Sequence, residues 1–177
     1  MSKLSKLILA SLAFSVSTVP AFAHSGFHLI TDAGKTSFTI EGDASLGSNN
    51  CSLVLEGEFV YNTSGPGGHP HTPPAGKAYY NEVKNLVGYN LPLPFPYSPT
   101  CAGISITGGD GRVTGPNTLT IDNLIIQVGS ASCNAGPVAV AATNLTNTIE
   151  VSVNQFAPAC GQTIKLDGES DATVQIG

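Results

Sequence analysis

The chain has 177 residues, 41% of them hydrophobic and 11% charged, with 20 Gly, 12 Pro, 4 Cys and no Trp. A formal charge of -5 excludes a nucleic-acid binder, which needs a concentrated basic face to displace counterions from phosphates. The hydrophobic content excludes a disordered chain, the glycines lack the every-third-residue period of collagen, and the length fits one ordinary domain.

Residues 1–23 read as a secretory signal peptide. Lys3 and Lys6 form a cationic start, residues 7–16 an apolar run too short to span a bilayer, and Ala21-Phe22-Ala23 the small-x-small pattern of a cleavage site. Cleavage after Ala23 leaves residues 24–177, starting at His24, as a single β domain two charges more negative than the whole chain. No later stretch approaches the roughly 18 apolar residues of a membrane helix, so no transmembrane segment is expected there. The expected location is outside the cell or on its surface, with the periplasm as the other exported compartment.

Strand signals follow. Residues 36–41 and 52–61 alternate in hydropathy, the second placing Leu53, Leu55, Phe59 and Tyr61 on one parity. Residues 79–89 predict another strand. Over residues 118–128 the apolar set is Leu119 and Ile121, then Leu124, Ile126 and Val128; this change of parity at Asp122-Asn123 predicts a β-bulge. Residues 138–142 form a small apolar run, Ile149, Val151 and Val153 alternate with polar neighbours, and residues 162–167 and 172–176 predict the closing strands. Gly108-Gly109-Asp110-Gly111, Gly115-Pro116-Asn117, Asn134-Ala135-Gly136-Pro137 and Asp167-Gly168 carry the chemistry of tight reversals. No window carries a helical stripe. The fold class is all-β, an antiparallel β-sandwich or partly open barrel.

A Pro-rich region, about 65–99, holds 8 of the 12 prolines and breaks that rhythm. Proline cannot donate to a ladder, so its two proline runs are loops or exposed extended chain. One reading makes it a contact loop anchored by Tyr79, Tyr80, Tyr89, Phe95 and Tyr97. The other makes it a restrained connection whose aromatics tuck against the sheet.

Cys51, Cys101, Cys133 and Cys160 all follow the signal and would meet an oxidising compartment, so two disulfides are expected. Of the three connectivities possible, Cys51 with Cys101 and Cys133 with Cys160 is favoured, because each pair encloses a self-contained group of strands. The spacings match no zinc template.

Candidate chemistry is sparse. A mature His24 would offer an α-amino group and an imidazole, and with His28, His69 or His71 could form a copper-binding histidine brace of the kind found in lytic polysaccharide monooxygenases. No G-x-S-x-G is present. The carboxylate pairs Glu56/Glu58 and Glu169/Asp171 fit the solvent side of strands. The glycine pairs precede no helix that would cradle a phosphate. Asn62-Thr63-Ser64 and Asn144-Leu145-Thr146 match a glycosylation pattern that arises often by chance. No catalytic residue and no cofactor are assigned.

The cysteine framework carries a family resemblance. Asn49-Asn50-Cys51 leads into Leu53-Val54-Leu55-Glu56-Gly57, and Cys101-Ala102-Gly103-Ile104 opens a second strand. Ser132-Cys133-Asn134-Ala135-Gly136-Pro137 follows, then Ala157-Pro158-Ala159-Cys160 before the terminal strands. From Asn49 onward the chain resembles the PraA/PraB group of small secreted bacterial proteins, often labelled activators of alkane oxidation and associated with the cell surface and biofilm matrix. The insert at 65–99 departs from that pattern. The resemblance implies a non-enzymatic surface or matrix protein acting in adhesion, biofilm or contact with hydrophobic substrates, with self-association or other matrix components as partners. The alternatives are the copper protein or oxygenase at His24, a fimbrial-type subunit in which residues 27–40 act as donor strand, and a carbohydrate- or hydrocarbon-binding module.

Overall fold

The computed structural model describes residues 26–64, 72–90, 104–171 and 173–177. Fourteen strands lie among them: β1 (Leu29–Asp32), β2 (Ser37–Leu46), β3 (Asn49–Val60), β4 (Lys77–Tyr80), β5 (Glu82–Asn90), β6 (Ile104–Gly108) and β7 (Gly111–Gly115). The rest are β8 (Thr118–Ile121), β9 (Ile125–Val128), β10 (Ala131–Asn134), β11 (Val138–Asn144), β12 (Ile149–Ala157), β13 (Gln162–Ser170) and β14 (Val174–Ile176). A 3-10 turn, Pro158–Cys160, joins β12 to β13.

Eight strands close into a barrel. Taken around the ring they are β2, β3, β5, β7, β8, β11, β12 and β13, in chain order, each antiparallel to its neighbours, with β13 returning to β2 and β5 pairing with β7. This is an up-and-down barrel. The all-β, antiparallel expectation holds, but the barrel is closed rather than a sandwich or partly open: β13 is longer than the sequence suggested and runs seven register pairs along β2, from Ile164↔Leu46 to Ser170↔Ile40. Period-two alternation builds the wall, since Phe38, Ile40, Leu55, Val151 and Val153 are buried while Glu41, Glu56, Glu150 and Ser152 between them are exposed. Apolar inside and charged outside is the reverse of a barrel that spans a bilayer, whose outer band is apolar.

A three-stranded sheet, β14-β1-β4, seals one end. Leu29, Val174 and Ile176 are almost fully buried and belong to the barrel core. Both ends of the described chain meet there: the His28 N–H donates to the Gly177 carbonyl at 2.8 Å, and the Gly177 N–H to the His28 carbonyl at 3.0 Å. Residues 27–40, read as a donor strand, instead pair within the chain's own sheets through β1 and the start of β2. Residues 79–89 form two strands rather than one, broken at Asn81. That side chain is 1% exposed and makes paired hydrogen bonds with the backbone of Asn62, accepting from its N–H at 2.8 Å and donating to its carbonyl at 2.9 Å.

At the other end the wall bends. The register of β6 and β7 on β5 is continuous, Gly88↔Ile106 and Val83↔Gly111, so these are two halves of one strand. The same holds for β8 with β9, and for β10 with β11. All three are interrupted at one level, at residues 109–110, 122–124 and 135–137. The interruption is stitched by Asp122 N–H to the Asp110 carbonyl at 2.7 Å, Ala135 N–H to the Leu124 carbonyl at 2.7 Å and Leu86 N–H to the Gly109 carbonyl at 3.1 Å. The change of parity at Asp122-Asn123 is therefore real, with Ile121 and Leu124 both buried across it, but it is a break between β8 and β9 rather than the expected β-bulge, and it does not carry Val128 inward, which is 40% exposed at the end of β9. Two expected reversals are corrected: Gly108-Gly109-Asp110-Gly111 and Asn134-Ala135-Gly136-Pro137 bend a strand that continues in the same direction. Gly136 suits that bend because a Cβ there would fall on the Asp122 carbonyl. A third, Asp167-Gly168, lies inside β13. Gly115-Pro116-Asn117 does reverse the chain, between β7 and β8.

Candidate ligand-binding lumen

Eight strands make an interior that is either filled by side chains or able to hold one small ligand. Here a cavity of about 110 Å³ remains. It runs from Leu29 and Val174 at the sealed end, past Val140, Val151 and Val153, to Ala44, Leu53, Ile104 and Ile106 at the bent end. Its side chains are overwhelmingly aliphatic because each strand turns its apolar parity inward. Among the lining hydroxyls, Ser170 is buried and its Oγ already accepts the Ile149 N–H at 3.0 Å. A charged or hydrogen-bonding group brought into this space would lose its water without replacement, at roughly 2–7 kcal/mol for a neutral polar group.

The bent sheet β6-β9-β10 forms part of the cavity wall. Ile104, Ile106 and Ile126 face the lumen, while Ile125 and Val128 of β9 are exposed at 37% and 40%. The outer strand β10 does not pair with β12. The Cys133–Cys160 disulfide spans that seam, tying β10 to the turn after β12; beside it, on the barrel side of the interruption, Gln155 of β12 accepts the Ala139 N–H of β11 at 3.0 Å and donates to the Pro137 carbonyl at 2.8 Å. Among the described residues this is one disulfide where two were expected. The other expected pair includes Cys101, which lies outside the described residues; Cys51, buried in β3, is not a free thiol.

The aromatic contact loop is not assembled as expected. Tyr79 stacks on His28 with ring centroids 5.2 Å apart, and Tyr80 stacks on Phe59 at 5.3 Å and donates to the Lys35 carbonyl at 3.0 Å. Both pack the sealing sheet. Tyr89 lies on the outer barrel wall near the far end of β5, 39% exposed, where its hydroxyl donates to Glu56 Oε1 at 2.7 Å. That contact, first, and partial desolvation hold the phenol above the ordinary tyrosine range. Phe95 and Tyr97 lie outside the described residues.

Of the candidate metal ligands, His28 is 4% exposed and engaged by Tyr79; His24, His69 and His71 lie outside the described residues. Among the described residues no three His, Cys, Asp or Glu side chains are grouped to hold a metal ion. Glu56 and Glu58 are exposed on β3, as expected for the solvent side of a strand. Asn144, in one glycosylation pattern, uses its amide on β14, donating to the Ile176 carbonyl at 2.7 Å and accepting the Ile176 N–H at 2.8 Å. The lumen itself escaped sequence reasoning. Its signal was present in the inward parity of eight strands, but an apolar parity reads the same whether the interior is filled or hollow.

Fold and lumen together define a small disulfide-bearing up-and-down β-barrel with an apolar interior. Compared with known protein families, curated proteins and solved structures, the chain finds no match. No helix among the described residues is long and apolar enough to cross a membrane.

Proposed function

We propose that this is an exported, non-catalytic protein of the cell surface or its surrounding matrix, whose work is contact with apolar molecules through the barrel lumen. The observation that carries the reading is the aliphatic cavity of about 110 Å³. Apolar cavities of roughly 150 Å³ lined by Leu, Ile and Phe stay dry and accept benzene or xenon, so the ligand class is a small uncharged hydrocarbon of about six carbons. A carboxylate is disfavoured in the aliphatic interior, because the lining cation, Lys165, is exposed and sits beside Ser45 toward the bent end rather than among the buried valines and isoleucines. Export is supported by the signal-like residues 1–23 and by the disulfide. The surface or matrix setting rests on the resemblance to the PraA/PraB group, and the exposed Phe156, Val87 and Tyr89 on the outer wall supply area for such association.

The test is titration of the purified protein with benzene and n-hexane, beside hexanoate, followed by methyl NMR. Saturable shifts at Val140, Val151 and Ile126 with the hydrocarbons, weak or absent with hexanoate and lost in Val153→Phe, are expected. No saturable shift with either hydrocarbon overturns the reading. Fractionation addresses the setting: recovery only as a soluble monomer, with attachment unchanged on deletion, removes the surface role.

A further inference from the structure

We infer that the bent sheet β6-β9-β10 is the opening wall of the lumen and that the Cys133–Cys160 disulfide is its latch, so that ligand exchange is under redox control. The inference rests on the lumen being a binding site and adds how that site is entered.

Three observations meet here. First, β6-β9-β10 continues three barrel strands beyond one line of interruption, so the sheet is joined to the barrel across residues 109–110, 122–124 and 135–137 and, along its β6 side, by pairing with β5. Regular ladder pairing lapses along that line, and breaks in a ladder are where local opening concentrates. Second, only the two inner strands of this sheet line the cavity, through Ile104, Ile106 and Ile126, so displacing it uncovers the lumen without breaking the closure of β13 on β2. Third, the free side of the sheet is β10, and its seam with β12 has no ladder. The Cys133–Cys160 disulfide runs across it, whereas the Gln155 side chain bonds to Pro137 and Ala139, at the fold line and in β11, beside the seam. A covalent tie at the swinging edge restrains motion far more than one at the fold line would.

The chemistry is thiol–disulfide exchange with a dithiol, small or protein-borne. A thiolate attacks one sulfur, a mixed disulfide forms and resolves, and the products are the Cys133 and Cys160 thiols and one oxidised dithiol, with two electrons and two protons transferred. In the oxidised state the wall is latched and a hydrocarbon exchanges slowly. In the reduced state β10 loses its covalent tie to the turn after β12, and the wall opens more often.

The experiment uses the full chain, with benzene as probe and exchange rates from NMR line shapes, on oxidised protein and on a Cys133→Ser/Cys160→Ser variant. The expected result is benzene exchange faster by about tenfold or more, an affinity changed by less than about threefold, and amide protection lost at residues 104–108 and 125–134 but kept in β2, β3 and β13. Equal exchange rates in the two forms overturn the latch while leaving the lumen reading intact; absence of benzene binding in both overturns the two together. Should the double variant fail to fold, the parent protein carries the test: benzene exchange is compared before and after mild reduction with dithiothreitol, with mass spectrometry of alkylated peptides showing that Cys133 and Cys160 are the thiols formed. Faster exchange after reduction supports the latch, and an unchanged rate overturns it.

Discussion

Gly42 of β2 faces Gly168 of β13 directly across the seam that closes the barrel. The backbones approach so closely that a Cβ on Gly42 would fall on the Asp167 carbonyl and the Gly168 Cα, and one on Gly168 would lie 2.8 Å from Ile40 Cγ2. Glycine inside a strand marks such approaches. Gly42→Ala should therefore destabilise by about 1–3 kcal/mol or more, the cost of forcing atoms into a packed site. Urea unfolding checks this, and a midpoint within error of the parent would show that the seam has room to relax.

Leu86 is 2% exposed, lines the lumen and packs where β5 meets the fold line at Gly109. Leu86→Ala should cost about 2–5 kcal/mol through lost burial and an enlarged cavity. Ligand then acts as filler: benzene at 100 times its dissociation constant should return about 2.7 kcal/mol, measured as recovery of the unfolding midpoint.

The Asp32 carboxyl in β1 is held below the ordinary aspartate range, first by the hydrogen bond from Lys77 Nζ at 2.8 Å and then by one from Thr173. A lowered folded-state value gives stabilisation that is complete above the unfolded-state value and is lost as pH falls through the folded one. Amide protection factors at Ala78 and Val174, on the strands flanking β1, should therefore fall below about pH 4, and more so than in the barrel wall. In Lys77→Met the Asp32 titration, followed by NMR, should move up toward the ordinary range.

On the outer wall, the hydrogen bond to Glu56 raises the Tyr89 phenol, because ionising it would remove the donated proton and place two negative charges side by side. Glu56→Gln should bring the Tyr89 titration back down toward the ordinary tyrosine value in an ultraviolet difference titration. The urea unfolding midpoint near neutral pH should stay within error of the parent, since the pair is exposed.

Much of the wall was legible from alternation. Leu53, Leu55, Leu119, Ile121, Leu124, Ile126, Ile149, Val151 and Val153 are all buried, as their parity implied, and even the break at Asp122-Asn123 was visible. The errors share one cause. Glycine, proline and asparagine in sequence announce that the backbone departs from a straight strand; they do not say whether it reverses. At Gly115-Pro116-Asn117 it reverses, at Gly108–Gly111 and Asn134–Pro137 it bends and continues, and at Gly168 it merely comes close to another strand. Those outcomes depend on partners distant in sequence, β5 for the first bend, β8 and β9 for the second and β2 for Gly168. The same limit hid the lumen, because closure is a property of β13 meeting β2 and belongs to neither strand alone.

The sealing sheet has a consequence for orientation. β1 and β14 lie side by side, and His28 and Gly177 exchange backbone hydrogen bonds, so chain leaving toward the N-terminus from residue 26 and anything joined after Gly177 depart from one pole. The latched wall occupies the opposite pole. A molecule held by either end, whether to a bead, a surface or a fused partner, would present its disulfide and its hinged wall to the surroundings, and immobilisation through a terminus should leave ligand exchange as free as it is in solution.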